Sequence, residues 1–265
     1  MVNDYLDGMI LRDYLGAYSE IFMPEFFPKI NSTNTYLKNK VINDPGLRTW
    51  HTVVASAQTA GRGRKGRSFL SPALTGLYLS VLLRPDTDTE TAEKITTKAA
   101  VAACLAIEEC SGEKAGIKWV NDIFVRGKKA VGILTEGCVE PGESSPKWVV
   151  MGIGFNVFEP EGGFPEELKD IAGAIMRDRD PYLRVRIASV FLKEFYRICS
   201  EPDDAYYIEY RKRSFIPGNR INVISGDSVI PAYALDVDRE CHLLVRYEDG
   251  REETLSSGEV SVRMS

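Results

Sequence analysis

Histidine is almost absent from this chain of 265 residues: His51 and His242 are the only two. A structural zinc site needs four N, S or O ligands gathered together, and a Ser-His-Asp triad needs a histidine base. Both histidines are therefore read as structural or surface residues, and no metal site is expected in the protein itself. The five cysteines (Cys104, Cys110, Cys138, Cys199 and Cys241) form no CxxC pair. Odd in number and scattered among apolar residues, they read as reduced core thiols rather than a disulfide framework. No apolar run approaches the ~20 residues of a membrane helix. The N-terminus, MVNDYLDGMILRDYLGAY, lacks the basic start and the small-residue cleavage site of a secretory signal. The expectation is a cytoplasmic protein with no membrane partner. An excess of basic residues is missing too. The net charge of -5 argues against a general nucleic-acid binder, although a local basic patch can still hold an anion. The GxxxxGK[ST] spacing of a Walker loop is also absent.

What is present suits one large domain and a small one, with 44% hydrophobic residues to fill a core. Residues 1–29, aromatic and acidic and ending in Pro24 and Pro28, read as a short helical extension. Residues 30–214 read as the large domain, which the resemblance given below makes the catalytic one. In it, Ser32 and Thr33 precede a capped helix, and WHTVVASA and GLYLSVLL read as strands. A long Ala-rich helix follows from Thr89 to Cys110. Next come a strand at Ile117–Val120, a hairpin (Asp122–Val125, the turn RGKK, Ala130–Cys138), the strand KWVVMGIGFNV and two further helices. Strands and helices mix without regular βαβ alternation, which predicts an α+β fold on a mixed sheet. From about Phe215 to Ser265 short strand-like runs between turn signals predict a small antiparallel barrel.

Three segments carry chemistry. In Gln58-Thr-Ala-Gly-Arg-Gly-Arg-Lys-Gly-Arg67 four cations, Arg62, Arg64, Lys65 and Arg67, lie within six residues among Gly61, Gly63 and Gly66. Glycine lets backbone N–H groups approach an anion, and arginine binds phosphate or carboxylate in a bidentate fashion. Like charges on a glycine-rich loop predict that it orders only over an anion. A solvated basic loop is an equal reading of the loop taken alone. Lys118-Trp-Val-Asn-Asp122 places Asn121 and Asp122 at a strand end, as turn formers or ligand contacts, and Lys129 begins the apolar strand AVGIL. Gly152-Ile-Gly-Phe-Asn156 allows close backbone approach inside a strand, either for sheet packing or for a ligand.

In this order the segments resemble the biotin protein ligase family, from about Asn31 to the C-terminus. The resemblance rests on Ser32-Thr-Asn34, QTAGRGRKGR with Ser71-Pro72, GLYLSVLLRP, KWVND, KKAVGIL, GIGFN and the terminal GEVSVR. It implies a fold like the catalytic domain of class II aminoacyl-tRNA synthetases with an SH3-like barrel behind it. It also implies two steps: biotin and ATP give biotinyl-5′-AMP and pyrophosphate, and a lysine of a biotin carboxyl carrier domain then takes the biotin and releases AMP. Magnesium accompanies the nucleotide. By this resemblance Ser32, Thr33, Asn34, Gln58, Gly61, Arg62 and Gly132 bind biotin, and Lys129 bridges its carboxylate to the α-phosphate. Arg62, Arg64, Arg67, Phe69, Lys118, Asn121, Asp122, Asn156 and Arg263 face ATP or the adenylate. Lys129, Arg64 and Asp122 are the catalytic candidates, with Asp122 accepting a proton from the incoming amine. Ser32 or Thr33 is equally a plain helix N-cap, and both roles can hold at once. The family usually has proline where Val120 stands and tryptophan where Phe69 stands; the latter change keeps an aromatic lid without the indole N–H.

Some family members repress transcription through an N-terminal helix-turn-helix. Only about 30 residues precede the catalytic region here, so no DNA partner is expected. The alternatives are a lipoate ligase, which shares the adenylate strategy, and, more weakly, a nucleic-acid-binding module built on the GRGRKGR loop. The resemblance also favours a homodimer through the catalytic sheet.

Overall fold

The computed structural model describes residues 4–84, 92–138, 146–225 and 228–262. Its larger sheet has seven strands: Glu25–Phe27 (β1), Thr52–Ala55 (β2), Gly76–Leu83 (β3), Ala115–Lys118 (β4), Asp122–Val125 (β5), Lys128–Cys138 (β6) and Trp148–Asn156 (β7). They lie in the order β1-β2-β3-β7-β6-β5-β4. β1 is parallel to β2, and every other pair is antiparallel. The helices are Gly8–Leu15 (α1), Ser19–Phe22 (α2), Thr33–Asn43 (α3), Ala92–Ser111 (α4), Leu183–Ser200 (α5) and Asp203–Arg213 (α6). The fold is α+β on a mixed sheet.

Every residue of β3 is buried, because helices cover both faces of the sheet centre. On one face Leu37 and Val41 of α3 pack with Val53, Leu82 and Val150. On the other, α4 and α5 form the main core with Leu79, Met151 and Ile153. Ala99, Ala100, Ala103 and Ala106 give α4 a flat surface against which α5 packs, and Phe191 and Phe195 of α5 stack at 5.7 Å.

The hairpin expected at RGKK turns tightly on Arg126 and Gly127, both left-handed at φ 49° and 74°, a conformation that favours glycine at the second position. Lys128 and Lys129 thus belong to β6 rather than to the turn, and Lys129 gains a fixed register opposite Phe124. The expected strand Ile117–Val120 ends at Lys118. Trp119 and Val120 leave it through a cis peptide bond.

The N-terminal segment, expected as helical, also contributes β1 to the sheet. Pro24 and Pro28 bracket this strand and confine it to the edge. Glu25 ties it to α3 and the β2 entry: it accepts from Tyr36 Oη at 2.9 Å, meets His51 Nε2 at 2.5 Å and pairs with Lys40. Asp7 caps α1 through bonds from the N–H groups of Met9 and Ile10, and Leu11, Leu15 and Phe22 enter the main core.

The smaller sheet is antiparallel. It comprises Arg220–Ser225 (β8), Ser228–Val237 (β9), Leu243–Tyr247 (β10), Glu252–Leu255 (β11) and Glu259–Val262 (β12), ordered β11-β10-β9-β8-β12. Trp119 Nε1 donates to Cys241 O at 3.0 Å, and Arg211 binds Asp236 through two nitrogens at 2.9 and 2.5 Å. These contacts fix the small sheet beside the β4 end of the large one. Among the described residues no helix is long and apolar enough to cross a membrane.

Candidate active site

A cleft of about 290 Å³ opens over the β6–β7 face, between the start of α3, the basic loop and β12. Its polar end is built by the entry to α3. Ser32 is the N-cap, in extended conformation, and its Oγ accepts weakly from Thr35 N at 3.4 Å. Its hydroxyl proton is left for another partner, so capping and ligand contact are compatible. Thr33 directs its N–H and its hydroxyl to Gln58 Oε1, at 2.9 and 3.2 Å. Gln58 Nε2 donates to Ser71 Oγ at 3.0 Å, and Ser71 in turn donates to Phe69 O at 2.9 Å. Asn34 lines the same end, with its Nδ2 directed to Leu134 O and Glu136.

Glycines pave the floor. A Cβ on Gly154 would stand 2.6 Å from Phe69 Cε1, and one on Gly132 would stand 3.1 Å from Phe69 Cε2. The ring of Phe69 therefore lies flat against the sheet, inside the cleft, rather than standing over it as a lid. Gly61 is needed for a different reason: a Cβ there would meet Phe69 O at 2.4 Å. It anchors the loop base without lining the cleft.

The basic loop is a short hairpin with Lys65 (φ 53°) and Gly66 (φ 75°) in the left-handed region, closed by Gly63 N–H donating to Arg67 O at 2.7 Å. Its cations have partners within the chain. Arg62 pairs with Glu136 at 3.1 Å, and Arg64 Nη1 donates to Asn121 Oδ1 at 3.0 Å. Lys65 lies 3.6 Å from Glu259, which also pairs with Arg67. Burial alone would raise the Glu136 carboxyl, but hydrogen bonds from Lys38 and Asn34 and the charges of Lys38 and Arg62 hold it below the usual glutamate range. Glu259 is lowered likewise, the Arg67 and Lys65 contacts outweighing burial.

At the other end Lys129 Nζ sits 2.6 Å from Asp122 Oδ1, as an ion pair out of line for a hydrogen bond. Lys118 shares this space. Burial, reinforced by the neighbouring Lys129 and Arg67 charges, pulls its ammonium below the usual lysine range against the opposing pull of Asp122 and Glu259. Asn121 is held by donating Nδ2–H to Ile133 O at 2.9 Å. Three positive groups, Lys118, Lys129 and Arg64, thus converge on a partly desolvated cleft wall. That is a receptor for an anion, and the Phe69 ring seated on the glycine floor beside it suits an apolar group.

The structure brings Ser32, Thr33, Asn34, Gln58, Arg62, Arg64, Arg67, Phe69, Lys118, Asn121, Asp122, Lys129, Gly132 and Asn156 to this one cleft. Arg263 lies outside the described residues. Sequence reasoning missed Glu136, two residues beyond KKAVGIL, and Glu259, which stands in GEVSVR. A lone carboxylate close to a cation-rich segment was the available signal. Ser80, buried beneath Thr33 and Asn34, gave no signal at all.

The comparisons with known proteins agree with this geometry. The Biotin/lipoate A/B protein ligase family matches residues 26–156, and the Biotin protein ligase C terminal domain matches residues 218–263. The Biotin--[acetyl-CoA-carboxylase] ligase of Mycobacterium tuberculosis is 32% identical over 270 residues, which cover 96% of this chain and 95% of that one. The Bifunctional ligase/repressor BirA of Bacillus subtilis is 46% identical over 123 residues, covering 46% of this chain and 37% of the relative. This match therefore spans little more than a third of that relative's length. The solved biotin protein ligase from Aquifex aeolicus in complex with biotin and ATP superposes with a TM-score of 0.74 at 25% identity, over 91% of this chain and 99% of the other. The chain belongs to the biotin/lipoate protein ligase family.

Proposed function

We propose that the chain is an ATP-dependent biotin protein ligase, and the observation that carries the reading is the two-ended cleft. One end offers hydroxyl and amide groups to a urea (Ser32, Thr33, Gln58), the middle offers the Phe69 ring, seated on Gly132 and Gly154, to a thiophane ring, and the far end offers Lys129 to a carboxylate. A dithiolane would leave the polar end unanswered, which favours biotin over lipoate.

In the first step a biotin carboxylate oxygen attacks the α-phosphorus and pyrophosphate leaves. Two anions must meet, and Lys129 is the fixed charge that lets them approach. Arg62, Arg64 and Arg67 would exchange their carboxylate and amide partners for phosphates, turning the hairpin into a cover that keeps water from the mixed anhydride. Lys118, Asn121 and Asn156 line the nucleotide side, and Arg263 is assigned there too by resemblance. In the second step the acceptor amine attacks the acyl carbon, AMP leaves, and Asp122 is placed to take the amine proton. The acceptor is the lysine of a biotin carboxyl carrier domain. Magnesium would enter as the counter-ion of the ATP phosphates. No group of three or more His, Cys, Asp or Glu able to hold a metal occurs among the described residues, and Mg²⁺ commonly keeps waters and phosphate oxygens as ligands. A homodimer through the large sheet belongs to the same reading.

ATP–pyrophosphate exchange tests it. Exchange that requires biotin is the expected result, and exchange that requires lipoate instead would reassign the substrate. Arg64→Gly is expected to keep the exchange but to free biotinyl-AMP into solution, because the loop loses its tie to Asn121 and its charge over the anhydride. The amount of adenylate recovered after rapid filtration reads this directly, and release equal to that of the parent protein would remove Arg64 from the covering role.

A further inference from the structure

The polar end of the cleft is held from behind. Ser80 on β3 is wholly buried, and β3 packs against α3. Its Oγ lies 2.6 Å from Asn34 Oδ1 and 2.8 Å from Thr33 Oγ1. One hydroxyl carries one proton, and the amide oxygen is both the nearer and the better acceptor, so Ser80 donates chiefly to Asn34 while touching Thr33. Asn34 Nδ2 donates to Leu134 O at 3.2 Å and to Glu136 Oε2 at 3.1 Å. Both N–H groups of that amide are committed. An ionised carboxylate can only accept, which fixes the amide with its nitrogen toward Glu136 and its oxygen toward Ser80. Gly152 makes the room: a Cβ there would stand 1.9 Å from Asn34 Oδ1. Asn34 is therefore saturated by the protein and has no N–H left for a ligand. Its neighbour Thr33 spends two donors on Gln58 Oε1, which sets the Gln58 amide in turn. With Ser71 taking one hydrogen of Gln58 Nε2, the other is free to be donated to a ligand carbonyl.

We propose that Ser80 and Glu136, neither of which lines the cleft, are positioning residues that act through Asn34 to hold Thr33 and Gln58 in the orientation a cyclic urea requires. They thereby set the preference for biotin over a carboxylic acid whose ring has no urea. This inference rests on the biotin reading above. Without the Ser80 hydroxyl the buried Asn34 oxygen loses its donor, a costly state that the first turn of α3 relieves by shifting. Hydrogen bonds to a urea weaken steeply with angle, whereas a dithiolane ring makes none to lose.

Lipoic acid is the probe that separates the two. It carries the same pentanoate chain on a ring without N–H or C=O. Biotin affinity by calorimetry, and lipoic acid affinity by competition, are to be measured without ATP on the parent protein, Ser80→Ala and Glu136→Met. Biotin is expected to weaken roughly tenfold in Ser80→Ala, the scale of one or two hydrogen bonds, and several-fold in Glu136→Met. Lipoic acid is expected to change less than about twofold, so the selectivity ratio falls. Parallel weakening of both acids would make Ser80 a packing residue only and overturn the proposal, as would an unchanged ratio. A parent protein that does not prefer biotin would overturn the functional reading and this proposal together, and that outcome is visible before any variant is made. Should Ser80→Ala fail to fold, Glu136→Met decides alone, since that side chain is 18% exposed and outside the core.

Discussion

Lys129→Ala is expected to abolish adenylate formation while leaving the protein folded. The two expectations separate because of where the ammonium sits. Its side chain is 28% exposed and its partner Asp122 is 22% exposed, so the pair is partly solvated, and losing it costs stability only on the order of 1 kcal/mol. Its catalytic effect is of another size. The proposed reaction would bring a carboxylate against a triphosphate, and a preorganised cation at that point acts most strongly as charge shifts in the transition state. Removing one such group typically lowers the rate about 10²–10³-fold. Pyrophosphate exchange should therefore fall by at least that factor, with a melting temperature lowered by no more than about 2–4 °C. Asp122→Asn is the informative companion. It frees Lys129 from its ion pair, so the first step should survive, whereas transfer from preformed biotinyl-AMP to an acceptor lysine should slow. A normal transfer rate in that variant would confine Asp122 to holding Lys129. Exchange in Lys129→Ala at more than a tenth of the parent rate would move the phosphate-bridging role to Lys118, whose lowered ammonium lies on the same cleft wall.

Most of this candidate site was legible in the sequence only through the family resemblance of segments taken together. Gly61 to Arg67, Lys118 to Asp122 and Gly152 to Asn156 are each contiguous, but each alone reads as well as a solvated loop, a turn or tight sheet packing. What the sequence could not show is pairing across the chain. Arg62 finds Glu136, 74 residues away, and Arg67 finds Glu259, 192 residues away, and these contacts are why the loop is a hairpin rather than a floating basic segment. Glycine told of close approach but not of what approaches: Gly152 receives the Asn34 amide and Gly154 the Phe69 ring. Phe69 was legible as an aromatic at the loop end, yet its position on the cleft floor depends on β6 and β7 running side by side. The strand Glu25–Phe27 was hidden because three residues between prolines carry no periodicity, and only the parallel partner Val53–Ala55 makes them a strand. Ser80 reads in sequence as one polar residue in a buried strand, and its meaning comes from the helix start above it.

The largest stability effect is expected at Arg184, far from the chemistry. This guanidinium is fully buried, donates Nε–H to Gly76 O at 2.7 Å, reaches Ser56 Oγ at 2.9 Å and pairs with Asp4. It therefore joins the N-terminal segment to the ends of β2 and β3, two residues from Gln58. Burial pulls the Arg184 guanidinium down and pushes the Asp4 carboxyl up, each outweighing the attraction of the pair. Such a pair adds little net stability but is costly to break from one side. Arg184→Met leaves the Asp4 carboxylate with only the Leu6 N–H and the Arg179 charge, and the Gly76 carbonyl and Ser56 hydroxyl without the guanidinium they now meet, and should cost about 3–5 kcal/mol. For a chain of this size that is a fall in melting temperature of about 10 °C or more. The pH dependence follows from Asp4. In the variant its folded pKa lies further above the ordinary 3.8 than in the parent, so the folded state holds the proton more tightly than the unfolded one. The carboxyl is protonated and harmless below that window, and stability is lost as pH rises through it. The gap between Arg184→Met and the parent should therefore widen from acid toward neutral pH. A gap that is constant across that range would mean that the cost comes from the two oxygen acceptors and the lost packing, and that Asp4 escapes to solvent.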